Sequence, residues 1–82
     1  MHYVYVLKKP DSAMVYIGYS GNLKQRIAEH NRSANHRGWL LVYYEAYRDE
    51  IDARLRERKL KHYGSSWGSL KKRIPQSMQS RQ

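Results

Sequence analysis

The chain has no cysteine among its 82 residues, only seven acidic residues, and no hydrophobic run that approaches membrane-spanning length. Without cysteine, neither a disulfide framework nor a thiolate zinc site can stabilise the fold. The first nine residues are too short and too polar for a signal peptide. These absences predict a soluble, cytoplasmic protein with one small domain and one modest core.

Positive charge is what the chain has in excess. Sixteen Lys and Arg residues stand against seven Asp and Glu residues, which gives a formal net charge of +9 at pH 7. Such an imbalance predicts a polyanionic partner, because neutralising phosphates releases condensed counterions. Nucleic acid is the commonest such partner, and an anionic membrane surface is the rarer one.

Two segments near the N-terminus have the composition of β-strands. Tyr3–Leu7 and Met14–Tyr19 are rich in aromatic and β-branched residues, and the residues between them favour a turn, so they predict an antiparallel hairpin. Because side chains alternate along a strand, Tyr5 and Tyr16 share one face if the branched residues share the other. That second face would carry Val4, Val6, Val15 and Ile17.

The rest of the chain predicts one more strand and three helical segments. Residues 39–44 are apolar throughout, which favours a central strand covered on both faces. Helices are predicted from about 23 to 31 and from 49 to 63, with Asp49 as the second N-cap and Gly64 as its end. Ser65 or Ser66 is expected to cap a last short helix around 67–72.

The order β-β-α-β-α, with a final helical turn, predicts an α+β fold: a three-stranded antiparallel sheet flanked by helices. We expect one domain over residues 1–75. The polar segment 76–82 is expected to be a disordered tail.

The first helix carries two polar residues in an unusual place. At about 100° per residue, Arg26 and His30 fall within one arc with Leu23, so they border the stripe that faces the core. A guanidinium in such a place needs water or a partner. These two residues are therefore candidates for a binding or catalytic role.

A spaced series of residues carries a resemblance to a known family. Tyr16-Ile17-Gly18 is followed after about ten residues by Arg26, and one helical turn later by His30, while Glu57 lies in a later helix. This series resembles the GIY-YIG nuclease family, in which two tyrosine-bearing strands, an arginine-bearing helix and a later glutamate build a metal-dependent phosphodiester-cleaving site.

The resemblance spans Tyr3 to Leu70 and is closest to the short stand-alone bacterial members, which share the strand Leu41–Glu45. The family's first element, Gly-Ile-Tyr, is here Tyr3-Val4-Tyr5 and keeps only the tyrosine. Larger members also carry an Asn after the glutamate helix, whereas the last Asn of this chain is Asn35.

The resemblance implies that Glu57 binds Mg²⁺ or Mn²⁺ and that Arg26 binds the scissile phosphate. A hard cation held by a carboxylate can stabilise charge on the phosphorane and assist the leaving oxygen, and a forked guanidinium suits phosphate oxygens. The implied substrate is DNA.

The resemblance also implies roles for the two tyrosines. Tyr5 would orient or deprotonate the attacking water with help from His30, and a nearby cation would have to stabilise its phenolate. Tyr16 would hydrogen-bond water or phosphate, and Gly18 would permit close approach of the backbone.

Seven basic residues of the later helices are predicted to contact nucleic acid phosphates. They are Arg54, Arg56, Arg58, Lys59, Lys61, Lys71 and Lys72. His2, His36 and His62 show no metal-ligand spacing, so a zinc site is not expected. With no separate DNA-reading domain, specificity would come from short loops or from a protein partner.

Two other functions fit the same residues. The chain could be a nucleic-acid-binding module that does not cleave, or a scaffold whose tyrosine face contacts another protein. Taken singly, Tyr5 and Tyr16 could be packing partners, and Glu57 could simply pair with Lys61 one turn away.

Overall fold

The computed structural model describes residues 1–79 and confirms the predicted α+β architecture. A three-stranded antiparallel sheet has the strand order β2-β1-β3. The elements along the chain are β1 (His2–Lys8), β2 (Val15–Ser20), α1 (Leu23–Arg32), β3 (Leu40–Tyr47), α2 (Glu50–His62) and α3 (Gly64–Arg73). Within the described residues no helix is both long and apolar enough to cross a membrane.

The prediction that the third strand is central was wrong, because β1 lies between β2 and β3. Residues 4–7 of β1 are almost completely inaccessible, whereas Leu41 and Tyr44 of β3 are 39% and 53% exposed. A continuous apolar run shows that a strand has little polar surface, but not which strands lie beside it. β1 is central because it pairs with β2 along one edge and with β3 along the other.

The main core lies between one face of the sheet and helices α2 and α3. Val4, Val6 and Ile17 of the sheet form one buried cluster with three helical residues, Ala53, Leu60 and Leu70. The predicted division of the hairpin faces is confirmed: Val15 also packs against this cluster, and Tyr5 lies on the opposite face.

Helix α1 covers the opposite face more loosely, and none of its residues is fully buried. The side chain of Asn22 caps it by accepting a hydrogen bond from the Gln25 amide at 3.0 Å. Leu23 and Ile27 line an open groove of about 560 Å³ together with residues of β1 and β3. The predicted stripe is confirmed, because Arg26 and His30 are half-buried beside them.

The ends of the later helices differ in part from the predictions. The Asp49 side chain caps α2, as predicted, by accepting a hydrogen bond from the Ile51 amide at 2.8 Å. Helix α3 begins at Gly64, and no side chain caps it, so neither Ser65 nor Ser66 has the predicted role. Residues 76–78 of the predicted disordered segment continue a turn that begins at Pro75, and 80–82 lie outside the described residues.

A partly buried carboxylate fixes α2 to the edge strand. Glu45 of β3 accepts hydrogen bonds from Arg56 at 3.0 and 3.2 Å, and further ones from the hydroxyls of Tyr43 and Tyr47. Burial alone would raise the pKa of Glu45, but the hydrogen bonds from Arg56 and the two tyrosines lower it. Arg56 therefore joins α2 to β3, and its guanidinium has a protein partner in place of the predicted phosphate.

Glu45→Gln should destabilise the fold at pH 7 by about 2 kcal/mol, because Arg56 would lose its charged partner. The folded-state pKa of Glu45 is lowered, so its contribution is present above the ordinary carboxyl pKa of 4.5 and is lost as the pH falls through the folded value. Urea unfolding should show the difference between wild type and variant shrinking below pH 4.5. Glu50→Gln, which breaks an exposed pair, is the control.

Candidate active site

Tyr5 and Gly18 face each other across the central hairpin, and Gly18 leaves room for the tyrosine ring. The two residues are Cα partners in the β1–β2 register. A Cβ added at Gly18 would lie 2.5 Å from Oη and 2.6 Å from Cζ of Tyr5, and 2.9 Å from Cε2 of Tyr16. Only glycine therefore permits Tyr5 to lie across β2 beside Tyr16.

The Tyr5 hydroxyl reaches helix α1, where it forms a hydrogen bond with His30. Tyr5 Oη and His30 Nε2 are 2.7 Å apart. Burial, followed by the proximity of Tyr16, raises the pKa of Tyr5 to about 12, although the Arg26 guanidinium acts in the opposite direction. At neutral pH Tyr5 is therefore a phenol, and it can donate to His30 whenever Nε2 carries no proton.

His30 is poised to accept a proton. Burial lowers the pKa of its imidazole, and the nearby charges of His36 and Arg26 lower it further, while Glu29 acts in the opposite direction. Near pH 7 the neutral ring has one unprotonated nitrogen, and in the tautomer in which Nε2–H donates to Tyr5 Oη, Nδ1 is free to accept a proton from water. This favours His30 over Tyr5 as the proton acceptor of the site.

Arg26 lies near Tyr5, whose pKa its guanidinium lowers, and its ion pair with Glu29 is exposed. Its Nε lies 3.1 Å from Glu29 Oε1, and the two side chains are 42% and 46% exposed. Such an exposed pair contributes little to stability. A phosphate can therefore replace Glu29 as the partner of Arg26 without disturbing the fold.

Tyr16 lies at the centre of an aromatic cluster that includes a residue sequence reasoning missed. Its ring centroid is 5.2 Å from that of His30 and 4.6 Å from that of His36. His36 also contacts Trp39, with 4.9 Å between the ring centroids. No sequence pattern predicts this contact, because His36 lies in a polar loop and its place depends on how that loop folds back over the sheet.

Glu57 approaches this group through Lys61. Glu57 lies on the stripe of α2 that carries Ala53 and Leu60, and its side chain is 18% exposed. The Lys61 ammonium is 2.9 Å from Glu57 Oε2 and 6.0 Å from the Tyr16 ring centroid. The Lys61 ammonium therefore links the Glu57 carboxylate to the Tyr16 ring, although Glu57 belongs to a helix on the other side of the sheet.

The donor atoms present suit a magnesium-type ion better than zinc or calcium. Across residues 1–79 no group of three or more His, Cys, Asp or Glu side chains could hold a metal. Mg²⁺ commonly uses one or two carboxylates and takes its other ligands from water and substrate phosphate. Glu57, a single and partly accessible carboxylate, fits that requirement.

The six predicted phosphate contacts other than Arg56 are all exposed, and two of them pair with glutamates. Arg54 pairs with Glu50 at 2.8 Å and lies over the Tyr19 ring, 4.0 Å from its centroid, and Lys61 pairs with Glu57. The other four are Arg58, Lys59, Lys71 and Lys72.

Comparisons with known proteins agree with the earlier resemblance. Residues 1–73 match the profile of the GIY-YIG catalytic domain. A UPF0213 protein of Staphylococcus haemolyticus is 35% identical over 68 residues, covering 76% of this chain and 82% of that protein. A UPF0213 protein of Clostridium perfringens is 37% identical over 67 residues, covering 74% and 71%. No solved structure was found to match the chain.

Proposed function

The chain belongs to the GIY-YIG catalytic domain family, and from that premise we propose that it is a divalent-metal-dependent endonuclease that hydrolyses phosphodiester bonds in DNA. One observation carries the proposal above all: a buried tyrosine, a neutral histidine and a lightly held arginine lie together on one face of the sheet. Packing alone would not require these three polar groups to meet.

Arg26 is proposed to bind the scissile phosphate. Its guanidinium can donate two parallel hydrogen bonds to phosphate oxygens and stabilise the extra negative charge of the phosphorane. Its present partner, Glu29, is exposed and easily replaced. Binding of DNA would therefore exchange one weak ion pair for a stronger one.

Tyr5 and His30 are proposed to position and deprotonate the attacking water. His30 accepts the proton as the water oxygen forms its bond to phosphorus, and the bond from phosphorus to the leaving oxygen breaks. Tyr5, a phenol with a pKa of about 12, orients His30 through their hydrogen bond. This assignment differs from the expectation that Tyr5 itself is the base, which would need a cation beside its oxygen.

Glu57 is the proposed ligand of Mg²⁺ or Mn²⁺, and Tyr16, whose ring centroid is 6.0 Å from the Lys61 ammonium that pairs with Glu57, is proposed to hydrogen-bond water or phosphate. When bound, the ion supplies Lewis-acid stabilisation of charge on the phosphoryl and leaving oxygens. The exposed basic residues of α2 and α3 would track the DNA backbone and make binding salt-dependent.

Nicking of supercoiled plasmid tests the proposal. The wild-type protein should nick in Mg²⁺ or Mn²⁺ and not in EDTA, and Glu57→Gln should nick about 100-fold more slowly because it weakens the hold on the ion. Glu50→Gln, on the solvent side of the same helix, should nick at the wild-type rate.

Three results would contradict the endonuclease proposal. Nicking that survives both Glu57→Gln and Arg26→Ala at full rate would identify a contaminant. Salt-sensitive DNA binding without nicking would identify a binding module, and no binding at low salt would leave a protein-interaction scaffold.

A further inference from the structure

The carboxylate of Glu57 already has a cation beside it. Lys61 Nζ lies 2.9 Å from Glu57 Oε2, with side-chain exposures of 39% and 18%. The other ion pairs within helices, Arg26 with Glu29 and Arg54 with Glu50, join side chains that are all more than 40% exposed. The pair at Glu57 is therefore the least hydrated of the three.

The ammonium is held on two sides. Beyond Glu57 it faces the ring of Tyr16, 6.0 Å from the centroid, at the outer limit of a cation–π contact. Lys61 Nζ thus lies between the Glu57 carboxylate and the Tyr16 ring. A metal ion that binds both this carboxylate and a phosphate would have to lie in the same place.

We infer that Lys61 is a tethered competitor for the metal: its ammonium neutralises Glu57 in the metal-free protein, and a divalent ion must displace it to coordinate the carboxylate. The inference rests on the proposed function, in which Glu57 is the ligand of the ion. It goes further by giving Lys61 a part in setting the affinity for metal, instead of the phosphate contact predicted from the sequence.

Electrostatics sets the direction of the effect. An ammonium at 2.9 Å from Glu57 Oε2 would lie close to any dication bound there and repel it. Lysine can move away because its charge ends a flexible four-carbon stem. The Glu57–Lys61 pair must nevertheless be broken before the carboxylate can coordinate the ion.

Mn²⁺ binding to the intact protein, without DNA, tests this inference. Free Mn²⁺ is measured by electron paramagnetic resonance during titration of the wild type and of Lys61→Met, which keeps the apolar stem and removes the charge. The variant should bind Mn²⁺ about tenfold more tightly.

Lys59→Met is the matched control, because it removes one positive charge from an exposed position of the same helix. It should bind Mn²⁺ with nearly wild-type affinity. Far-ultraviolet circular dichroism confirms that each variant keeps its fold. A gain in both variants would show a general effect of net charge and would overturn the specific role of Lys61.

The outcomes separate this inference from the proposed function. If Glu57→Gln loses Mn²⁺ binding and Lys61→Met binds no more tightly than wild type, the competitor role is wrong and the metal site stands. If Glu57→Gln binds Mn²⁺ as well as wild type, the proposed metal site is wrong, and the inference fails with it. Tighter Mn²⁺ binding in Lys61→Met but not in Lys59→Met supports the competitor role of Lys61. Loss of that binding in the double variant Glu57→Gln/Lys61→Met supports the metal site at Glu57 as well.

Discussion

Arg26→Ala should slow plasmid nicking by about 100- to 1,000-fold, because it removes the donor that stabilises the phosphorane. DNA affinity should change by less than about fivefold, since one phosphate contact among many is lost. The fold should be unaffected, because Arg26 is 42% exposed and its partner Glu29 is 46% exposed. Single-turnover nicking and fluorescence anisotropy measure the two quantities separately.

Two further variants sharpen this experiment. Arg26→Lys should also be slow, because a lysine presents one charge without the planar fork that matches two phosphate oxygens. Arg32→Ala, an exposed arginine in the last turn of the same helix, should nick at nearly the wild-type rate. A rate for Arg26→Ala above one tenth of wild type would remove Arg26 from the proposed mechanism.

Gly18→Ala should destabilise the fold by about 3 kcal/mol. The added methyl would lie 2.5 Å from Tyr5 Oη and 2.6 Å from Cζ, and Tyr5 is fully buried, so its ring has no free space to enter. For a domain of this size such a loss lowers the melting temperature by about 10 to 25 °C. Differential scanning calorimetry measures the shift.

Gly68 provides the contrast within the same chain. It lies inside α3, and a Cβ there would meet nothing within 4 Å. Gly68→Ala should therefore raise stability by up to about 1 kcal/mol through helix propensity. A melting temperature for Gly18→Ala within 2 °C of wild type would show that the strands can move apart without cost.

The hairpin and its face division were predictable because they depend on local information. Alternation in two short segments is enough to place Tyr5 and Tyr16 together, and a 3.6-residue period is enough to set Arg26 and His30 on one stripe. The structure confirms both arrangements. The order of the strands was not predictable in this way, because it depends on which edges meet in the folded molecule.

The environment of the candidate site depended on long-range packing. The family resemblance implies that Glu57 is the metal ligand, but nothing in the sequence places its ion-pair partner Lys61 beside Tyr16. The same applies to Arg56, whose partner Glu45 is eleven residues earlier on an edge strand. Within a run of basic residues, only the folded structure shows which side chain has a partly buried ion-pair partner and which is solvated.

The central position of β1 has a consequence for synthesis of the chain. This strand leaves the ribosome before the other two, yet it needs β3 as its second neighbour, and a two-stranded hairpin alone is marginally stable in water. Helix α2, which closes the core and carries Glu57, emerges later still. A nascent fragment that ends before residue 50 would contain both phenols and the guanidinium but not Glu57, so the proposed site is complete only after α2 has been synthesised.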